Sequence, residues 1–457
     1  MRPLHAASLS LLLLLGAACR SSTSPASTPT TSEAQALALT PPVGDGAVDR
    51  EILRLQEGLR RSPTADDWVL LGQAWIRKGR QGGDAGLYLS AEGASIAALK
   101  VRPGHRGALA LGAMVLLNQH RFEAAREQAL AILAQDPDHV PALTVLSDAA
   151  LEMGDVAAAL DATQRLVDLK PGLASYGRAA HLRWIQGDVS GAKQLYARAI
   201  DAGRGGRDPE PVAWMLVQAG LIFWNEGDLD GALAGAQRAL ALLPRHAPAL
   251  VLEARCRLAR GEDAKALHLL EQAEAIQPLV ETGWLLADAR RRLGDGPGAD
   301  RTEARLLRQG RQSDPLMVGL YLASRGGEAA GALRLLEPEH RARPGLLVED
   351  AYAWALYRAG MLAEARAAID RATAHGTPDP RLLYHAGAIR LAQGDASAGK
   401  ALIQRALDLN PEFDPVASSE ARALLGSRDR RARQGSGARA SEGRSTRSVS
   451  AISPAGR

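Results

Sequence analysis

Apolar residues recur at helical spacing along most of the chain. The first segment with this period runs from Ala47 to Arg61, where Ile52 and Leu59 fall on one face. From residue 66 to residue 411 the pattern continues as pairs of short amphipathic segments, and a last helix is predicted from Val416 to Leu425. The pattern therefore predicts an all-α chain built from many short helices.

The helical segments repeat with a period close to 34 residues. At eight places a Gly is followed five residues later by Ala or Gly, and successive glycines lie 33 to 40 residues apart. These glycines are Gly154, Gly187, Gly227, Gly261, Gly294, Gly327, Gly360 and Gly394. Glycine suits a tight turn, and the prolines that follow several units cannot continue a helix. Each unit is thus predicted to be a helical hairpin that must stack on its neighbours to bury its apolar stripe.

A turn glycine with a downstream proline at this period resembles the tetratricopeptide repeat. The first unit carries the family's Trp-x2-Leu-Gly-x2-aromatic pattern as Trp68, Leu71-Gly72 and Trp75. The resemblance covers about three quarters of the chain. It implies an all-α, right-handed α–α superhelix of about ten helical-hairpin repeats. Two insertions interrupt the period, at Gln81 to Leu87 and at Gly203 to Pro211, and the second is predicted to be a protruding loop.

The first residues of the chain predict that the protein is exported. Residues 1–18 combine Arg2 with an apolar stretch and small residues, as in a signal peptide, and the apolar part is too short to span a membrane. Residues 19–46 are rich in Ser, Thr and Pro and are predicted to be a tether. The solenoid with its capping helices is assigned to residues 47–425, and residues 426–457 are predicted to be a disordered basic tail.

The end of the signal segment, Leu15-Gly16-Ala17-Ala18-Cys19, resembles the lipobox of bacterial lipoproteins. The resemblance implies that Cys19 is acylated and attaches the protein to a bacterial membrane, and Arg20 after it favours the outer membrane. Gly16 stands where the family most often has Leu. Ordinary cleavage after Ala18, which would release a periplasmic protein, is therefore the alternative.

The net positive charge is concentrated in residues 426–457 and not in the rest of the chain. The net charge is +4, but residues 426–457 contain eight Arg against Asp429 and Glu442, which leaves a net charge of −2 for the rest. No global positive field for nucleic acid is expected, and no nucleic-acid partner is predicted. With Cys19 acylated, Cys256 has no cysteine to pair with and is predicted to be a small buried hydrophobe.

The sequence offers no catalytic, metal or cofactor signature. Ser190 to Lys193 and Ser397 to Lys400 match Ser-x-x-Lys, but the companion motifs of that enzyme class do not occur. The ten histidines include no pair four residues apart, and Cys256 has no partner at a metal-binding spacing. The chain is therefore predicted to be non-enzymatic, without a small-molecule cofactor.

Aromatic and Arg residues concentrate at the positions that face the groove in the tetratricopeptide family. With the turn glycine as position 15, the resemblance implies that positions 2, 5, 9, 12 and 13 line the concave surface. Eight of the fourteen Trp and Tyr residues fall there: Trp184, Trp214, Trp224, Trp284, Tyr321, Trp354, Tyr357 and Tyr384. Arg255, Arg292, Arg325 and Arg358 occupy positions 9 and 13. These residue types are enriched at binding hot spots, so a binding groove is predicted, the alternative being that the rings pack between repeats.

The sequence thus predicts a scaffold of the bacterial cell envelope that binds a protein or peptide in its concave groove. The resemblance to envelope lipoproteins of this architecture suggests a role in envelope or pilus assembly. A glycan- or peptidoglycan-associated binding module is the alternative.

Overall fold

The computed structural model describes residues 30–426 except residues 83, 85, 207 and 326. The predicted signal peptide, Cys19 and the tail after Gly426 lie outside the described residues. Within the described ranges, all regular structure is helical. The helices are α1 (Thr31–Ala38), α2 (Ala47–Arg61), α3 (Ala65–Gly82), α4 (Leu87–Val101), α5 (Arg106–Asn118), α6 (Phe122–Leu133), α7 (Val140–Glu152), α8 (Val156–Leu169), α9 (Leu173–Ile185), α10 (Val189–Gly203), α11 (Glu210–Asn225), α12 (Leu229–Leu242), α13 (Ala247–Ala259), α14 (Asp263–Ile276), α15 (Val280–Arg292), α16 (Gly296–Ser313), α17 (Pro315–Ser324), α18 (Ala329–Ala342), α19 (Leu346–Arg358), α20 (Leu362–Ala372), α21 (Pro380–Ala392), α22 (Ala396–Leu409) and α23 (417–426).

Helices α3 to α22 form ten consecutive hairpins, which confirms the all-α repeat fold and agrees with the predicted repeat number. The two helices of each hairpin pack together, and the second helix also contacts the first helix of the next hairpin. Helix α2 packs against α3 with the predicted bounds. At the other end Ala421 of α23 is fully buried against the last hairpins. Both ends of the stacked array are therefore covered.

Helix α1 is a difference from the sequence prediction, which placed residues 31–38 in the tether. Thr30 and Glu33 form a capping box that begins the helix, and Ala34 and Ala38 are fully buried. The carbonyl of Ala34 lies so close to Gly93 of α4 that no side chain would fit there. An eight-residue helix that packs through alanines has no strong apolar period, which explains why the sequence pattern missed it.

Small residues let the helices of a hairpin cross closely, as the sequence predicted. In the fifth hairpin a Cβ atom on Gly235 would lie 3.1 Å from the Cα of Gly220. In the tenth, a Cβ on Gly387 would lie 2.8 Å from the carbonyl oxygen of Gly399. Such distances leave no room for a larger residue without separating the helices.

The turn glycines have the expected backbone. Seven of the eight have φ between 72° and 89°, in the left-handed region. The second hairpin has no glycine at this point, and His120 adopts φ of 57° instead. Histidine is among the non-glycine residues found most often in this conformation. The left-handed backbone conformation of the turn is therefore present even where the glycine is absent.

Successive turns of the superhelix touch each other. The turns inside hairpins three, four and five meet the loops that follow hairpins eight, nine and ten. Thr377 donates a hydrogen bond of 2.7 Å from Oγ1 to the Ile185 carbonyl, and Asn410 donates one of 2.7 Å from Nδ2 to the Trp224 carbonyl. A Cβ on Gly154 would lie only 2.7 Å from the backbone oxygen of Pro344. The chain therefore returns to its own edge after five hairpins.

The two insertions also meet across the superhelix. Gln81, at the end of α3, donates a hydrogen bond of 3.4 Å to Asp208 in the α10–α11 loop. The loop predicted at Gly203 to Pro211 spans residues 204–209 in the structure, because α11 begins at Glu210. Burial raises the pKa of Glu210 from 4.5 to about 7, the Arg80 charge opposes this rise and the Asp208 charge adds to it. This contact therefore contains a carboxyl group that titrates near neutral pH.

We expect Thr377→Val to weaken the contact between turns. The substitution keeps the shape but leaves the buried Ile185 carbonyl without its donor, which costs about 1–2 kcal/mol. Thr373→Val is the matched control, because Thr373 donates only to the carbonyls of Ile369 and Asp370 in the preceding helix. The urea midpoint of unfolding measures both. Equal shifts for the two variants would contradict a stabilising contact between turns.

Stability should depend on pH through Glu210. Folded Glu210 holds its proton more tightly than the unfolded chain, so the free energy of unfolding falls as pH rises from about 4.5 to 7 and then levels off. Glu210→Gln should remove ~1–3 kcal/mol of this fall. Urea unfolding at pH 5 and pH 8 measures the difference, with the exposed Glu123→Gln as control. An unchanged pH dependence in Glu210→Gln would contradict the assignment.

Candidate functional site

The concave surface closes around a cavity because adjacent turns touch. The cavity offers about 210 Å³ to the centres of water molecules, and it lies among α7, α9, α10, α11, α13, α15, α17, α19 and α21. Residues 412–415, which follow α22, also line it. The groove that the sequence predicts is thus an internal cavity in the folded chain.

The part of the cavity wall that α9, α10 and α11 form is uncharged. Helices α9, α10 and α11 contribute eight lining residues, none of which carries a charged side chain at neutral pH. They are His181, Trp184, Tyr196, Gln218, Leu221, Ile222, Trp224 and Asn225. Burial lowers the pKa of His181 to about 4, so its imidazole is neutral at physiological pH. This part of the wall therefore combines apolar side chains with uncharged polar groups.

Three of these polar side chains are almost completely buried yet make no hydrogen bond. Tyr196, Gln218 and His181 are 1%, 4% and 5% exposed, and none of them has a hydrogen-bond partner among the described residues. His181 stacks on Trp184 with ring centroids 5.6 Å apart. Buried polar side chains are normally hydrogen-bonded to protein or water. The hydrogen-bonding capacity of these three therefore faces the cavity.

Other helices and loops place charged side chains on the same cavity wall. Arg255 of α13 forms an ion pair with Glu281 of α15. Burial lowers the pKa of Arg255 to about 10, and the charge of Arg381 lowers it further. Asp314 accepts a hydrogen bond of 3.1 Å from the Met317 amide at the start of α17, and burial raises its pKa to about 6. The cavity wall can therefore contact charged groups of a ligand as well as apolar ones.

A buried ion pair joins two superhelical turns at the cavity wall. Arg343 Nη1 donates to Glu152 at 3.0 Å, and its Nε donates to Glu339 at 2.8 Å. Burial raises the pKa of Glu152, and the Arg343 charge opposes that rise. Removing either partner would leave a buried charge unpaired, which is costly. The pair therefore holds the wall of the cavity in place.

The structure places five of the twelve predicted groove residues on the cavity wall. These are Trp184, Trp224, Trp284, Arg255 and Arg292. The other seven are Trp214, Tyr321, Trp354, Tyr357, Tyr384, Arg325 and Arg358, and they contact neighbouring parts of the chain. A binding role for the set stays a prediction.

The seven form internal contacts in hairpins five to ten. Trp214 lies in the apolar core around α9 to α13. Tyr321 packs edge-on against Trp284 at 5.1 Å, and Arg325, over both rings, forms an ion pair with Asp288.

Further along, Trp354 stacks on His385 at 4.1 Å and on Tyr357 at 5.0 Å, with Arg358 over its ring. Tyr384 donates a hydrogen bond of 2.8 Å to Glu420 of α23.

Sequence reasoning missed the residues that make the cavity distinctive. Tyr196 lies on the second helix of its hairpin, which the groove positions of the repeat do not include. Gln218 is at position 6, one residue from a groove position. His181 is buried at the cavity wall. In the sequence, the one signal that could have identified these residues is a polar residue on an otherwise apolar helix face.

The described residues contain no cluster of three or more metal-ligating side chains. Cys256 is fully buried, and burial raises the pKa of its thiol to about 11, so it is the inert hydrophobe that the sequence predicted. In the part of the chain that the structure describes, no helix is long and apolar enough to cross a membrane.

Residues 111–174 match a family model described as tetratricopeptide repeat. This segment spans α5 to the start of α9, and the hairpins on both sides continue the same pattern. The match to the tetratricopeptide repeat family is thus to this segment of the chain. No curated protein matches the sequence.

Several solved structures share the repeat architecture. PilW, a type IV pilus biogenesis factor, has 17% identity and a TM-score of 0.39, and the match covers 46% of this chain and 96% of PilW. Pseudomonas aeruginosa PilF has 15% identity and a TM-score of 0.38 over 44% of this chain and 90% of PilF. Human IFIT1 with PPP-AAAA has 13% identity and a TM-score of 0.47 over 81% of this chain and 96% of IFIT1. TM-scores below 0.5 mean that overall shapes differ, so these likenesses say nothing of function.

Two tyrosines that differ in hydrogen bonding should respond differently to loss of the hydroxyl. Tyr384→Phe removes a buried hydrogen bond to the Glu420 carboxylate and should lower the free energy of unfolding by about 1–3 kcal/mol. Tyr196→Phe removes a hydroxyl without a partner among the described residues and should cost little or nothing. Thermal unfolding of the two variants measures both effects. A larger loss for Tyr196→Phe would show that its hydroxyl is part of the fold.

Proposed function

We propose that this protein is a non-enzymatic binding scaffold of the bacterial cell envelope. It is exported through residues 1–18 and attached to a membrane, the outer membrane by preference, through an acylated Cys19. Its solenoid holds a segment of a partner protein and serves the assembly of an envelope structure. Cleavage after Ala18 without acylation would instead give a periplasmic protein with the same solenoid.

The observation that carries the binding role is the cavity on the concave surface. Its wall combines the apolar Trp284 and Leu347 with the Arg255–Glu281 ion pair. Pockets that bind ligands have this composition, with mostly apolar walls and a few polar groups that fix orientation. None of these groups forms a catalytic arrangement of nucleophile and base, which favours binding over turnover.

The closed sides of the cavity restrict how a partner enters. Contacts at Gly154, Ile185 and Trp224 close the edge between adjacent turns. A polypeptide can therefore enter from an open end of the superhelix by its own terminus, or after these contacts separate. A chain terminus or a short mobile segment is the form of partner that this geometry admits.

The proposal predicts a specific cross-link inside living cells. With p-benzoylphenylalanine in place of Leu347 on the cavity wall, we expect an adduct with an envelope protein, mapped by mass spectrometry to one segment of that partner. The same probe at Leu130, which is exposed on α6, should give no adduct with that partner.

A variant that fills the cavity makes the test specific. Ala259→Phe places a ring on the cavity wall and should reduce the adduct at position 347 at least tenfold, whereas Ala197→Phe on the exposed face of α10 should not. Circular dichroism checks that both variants remain helical. Adducts that persist with Ala259→Phe, or that never form, would contradict binding of a partner in the cavity.

A further inference from the structure

The charged side chains on the cavity wall are not balanced by their partners. Six carboxylates and four arginines line the cavity, and the arginines are Arg255, Arg292, Arg343 and Arg381. Each of these guanidinium groups lies 3.8 Å or less from a carboxylate oxygen. Three of the six carboxylates also belong to ion pairs, whereas Asp314, Asp379 and Asp414 form none with any described residue. The unpaired charge on this wall is therefore negative.

The three aspartates occupy the same place in the repeat pattern. Asp314 and Asp379 are the N-cap residues of α17 and α21, and Asp414 lies just before α23. Each uses Oδ1 to accept hydrogen bonds from backbone amides of the residues that follow it. No donor among the described residues reaches the Oδ2 atom of any of the three. Capping therefore uses one oxygen of each carboxylate and leaves the other without a protein donor.

Two of these aspartates share one place with a pair of arginines. Burial lowers the pKa of Arg255 to about 10, the charge of Arg381 lowers it further, and the charges of Asp414 and Asp379 oppose this fall. Arg255 also forms its ion pair with Glu281. Three carboxylates thus act on this guanidinium, with one further arginine beside it. The place can therefore accept another positive charge.

Uncharged polar side chains of the same cavity also lack partners. Tyr196, Gln218 and His181 are 1%, 4% and 5% exposed, and none has a hydrogen-bond partner among the described residues. Buried polar groups are normally satisfied by protein, water or a ligand. A phenol, a carboxamide and a neutral imidazole each offer an acceptor atom. A ligand with several N–H donors would therefore satisfy these side chains and the carboxylates together.

Other ligand charges fit the cavity less well. An anion would meet the unpaired carboxylates, because the arginines on the wall are already paired. A neutral ligand would displace water and leave Asp314, which is 9% exposed, without a counter-charge. Aromatic rings also attract cations, and Trp284 on this wall already has Arg325 over its ring at 5.2 Å. The ligand class that matches the wall is a cation with N–H donors.

We propose that the partner segment held in this cavity carries a basic side chain, which pairs with the carboxylates that the fold leaves unpaired. This inference rests on the proposed function, which places a partner segment in the cavity without stating its charge. Arginine fits better than lysine, because its five N–H donors reach a carboxylate and a neutral acceptor at the same time.

The test is a calorimetric titration of the full-length protein with acetyl-Gly-Ser-Arg-Ser-Gly-amide, whose blocked ends leave the Arg side chain as the only charge. We expect this peptide and its Lys analogue to bind. The citrulline analogue, which has nearly the shape of Arg without the charge, and the Glu analogue should bind about tenfold more weakly or not at all. Equal affinities for the Arg and citrulline peptides, or no binding by either basic peptide, would contradict the proposal.

Aspartate-to-asparagine variants locate the site. Asp379→Asn and Asp414→Asn keep an oxygen that can cap the helix and remove only the charge, so the fold should be retained, as circular dichroism will check. Each should weaken binding of the Arg peptide about tenfold. Asp228→Asn and Asp395→Asn are the controls, because these aspartates cap α12 and α22 in the same way and do not line the cavity. Equal affinities in all four variants would place the peptide elsewhere and overturn the proposal.

The cross-link at position 347 separates this inference from the proposed function. An adduct with an envelope protein whose mapped segment contains no Arg or Lys keeps the proposed function and rejects the basic side chain. Absence of any partner adduct, with binding of the Arg peptide intact, rejects the proposed function and keeps the charge selectivity of the site.

The chain itself contains a second source of basic side chains, the eight Arg of residues 426–457. If they occupied the cavity, the probe at position 347 in the purified protein would form an adduct with this segment. That adduct would be lost on changing the eight Arg to Gln, and it would reject a partner as the source of the cation. We expect no such adduct.

Discussion

The contact between successive turns of the superhelix determines the character of this protein. At Gly154 and Gly227 the backbone of one turn approaches the backbone of the next so closely that a Cβ atom would collide with a carbonyl oxygen. The same glycines need φ near 75° for their own hairpin turns. One residue type therefore satisfies two constraints, and the concave surface that most repeat arrays leave open is closed into a cavity.

Closure changes the physics of the side chains inside. A carboxylate on an open groove keeps most of its hydration, whereas Asp314 at the cavity wall is nearly out of water and its pKa rises to about 6. The same loss of hydration lowers the pKa of His181 and of Arg255. Some of the charges inside are paired, as in Arg343 with Glu152 and Glu339.

The repeat period made the hairpins predictable because each hairpin depends on local chemistry. Turn glycines, small residues at crossings and prolines after the second helix are all visible in the sequence. Helix α1 was missed because it packs through Ala34 and Ala38 without an apolar period. The meeting of Thr377 with Ile185 could not be predicted, since it depends on small rotations summed over five hairpins. The candidate site could not be predicted for the same reason, because the cavity exists only where the turns meet.

The aromatic residues show why a position number alone does not define a binding residue. Trp354 and Tyr384 occupy groove positions, but His385, Phe413 and Glu420 already fill the space in front of their rings. Enrichment of Trp, Tyr and Arg is expected both at binding hot spots and in tightly packed ends of a solenoid. A binding residue differs from a packing residue in having hydrogen-bonding groups that the fold leaves without a partner. Tyr384 spends its hydroxyl on Glu420, whereas Tyr196, at a position with no family role, keeps its hydroxyl for the cavity.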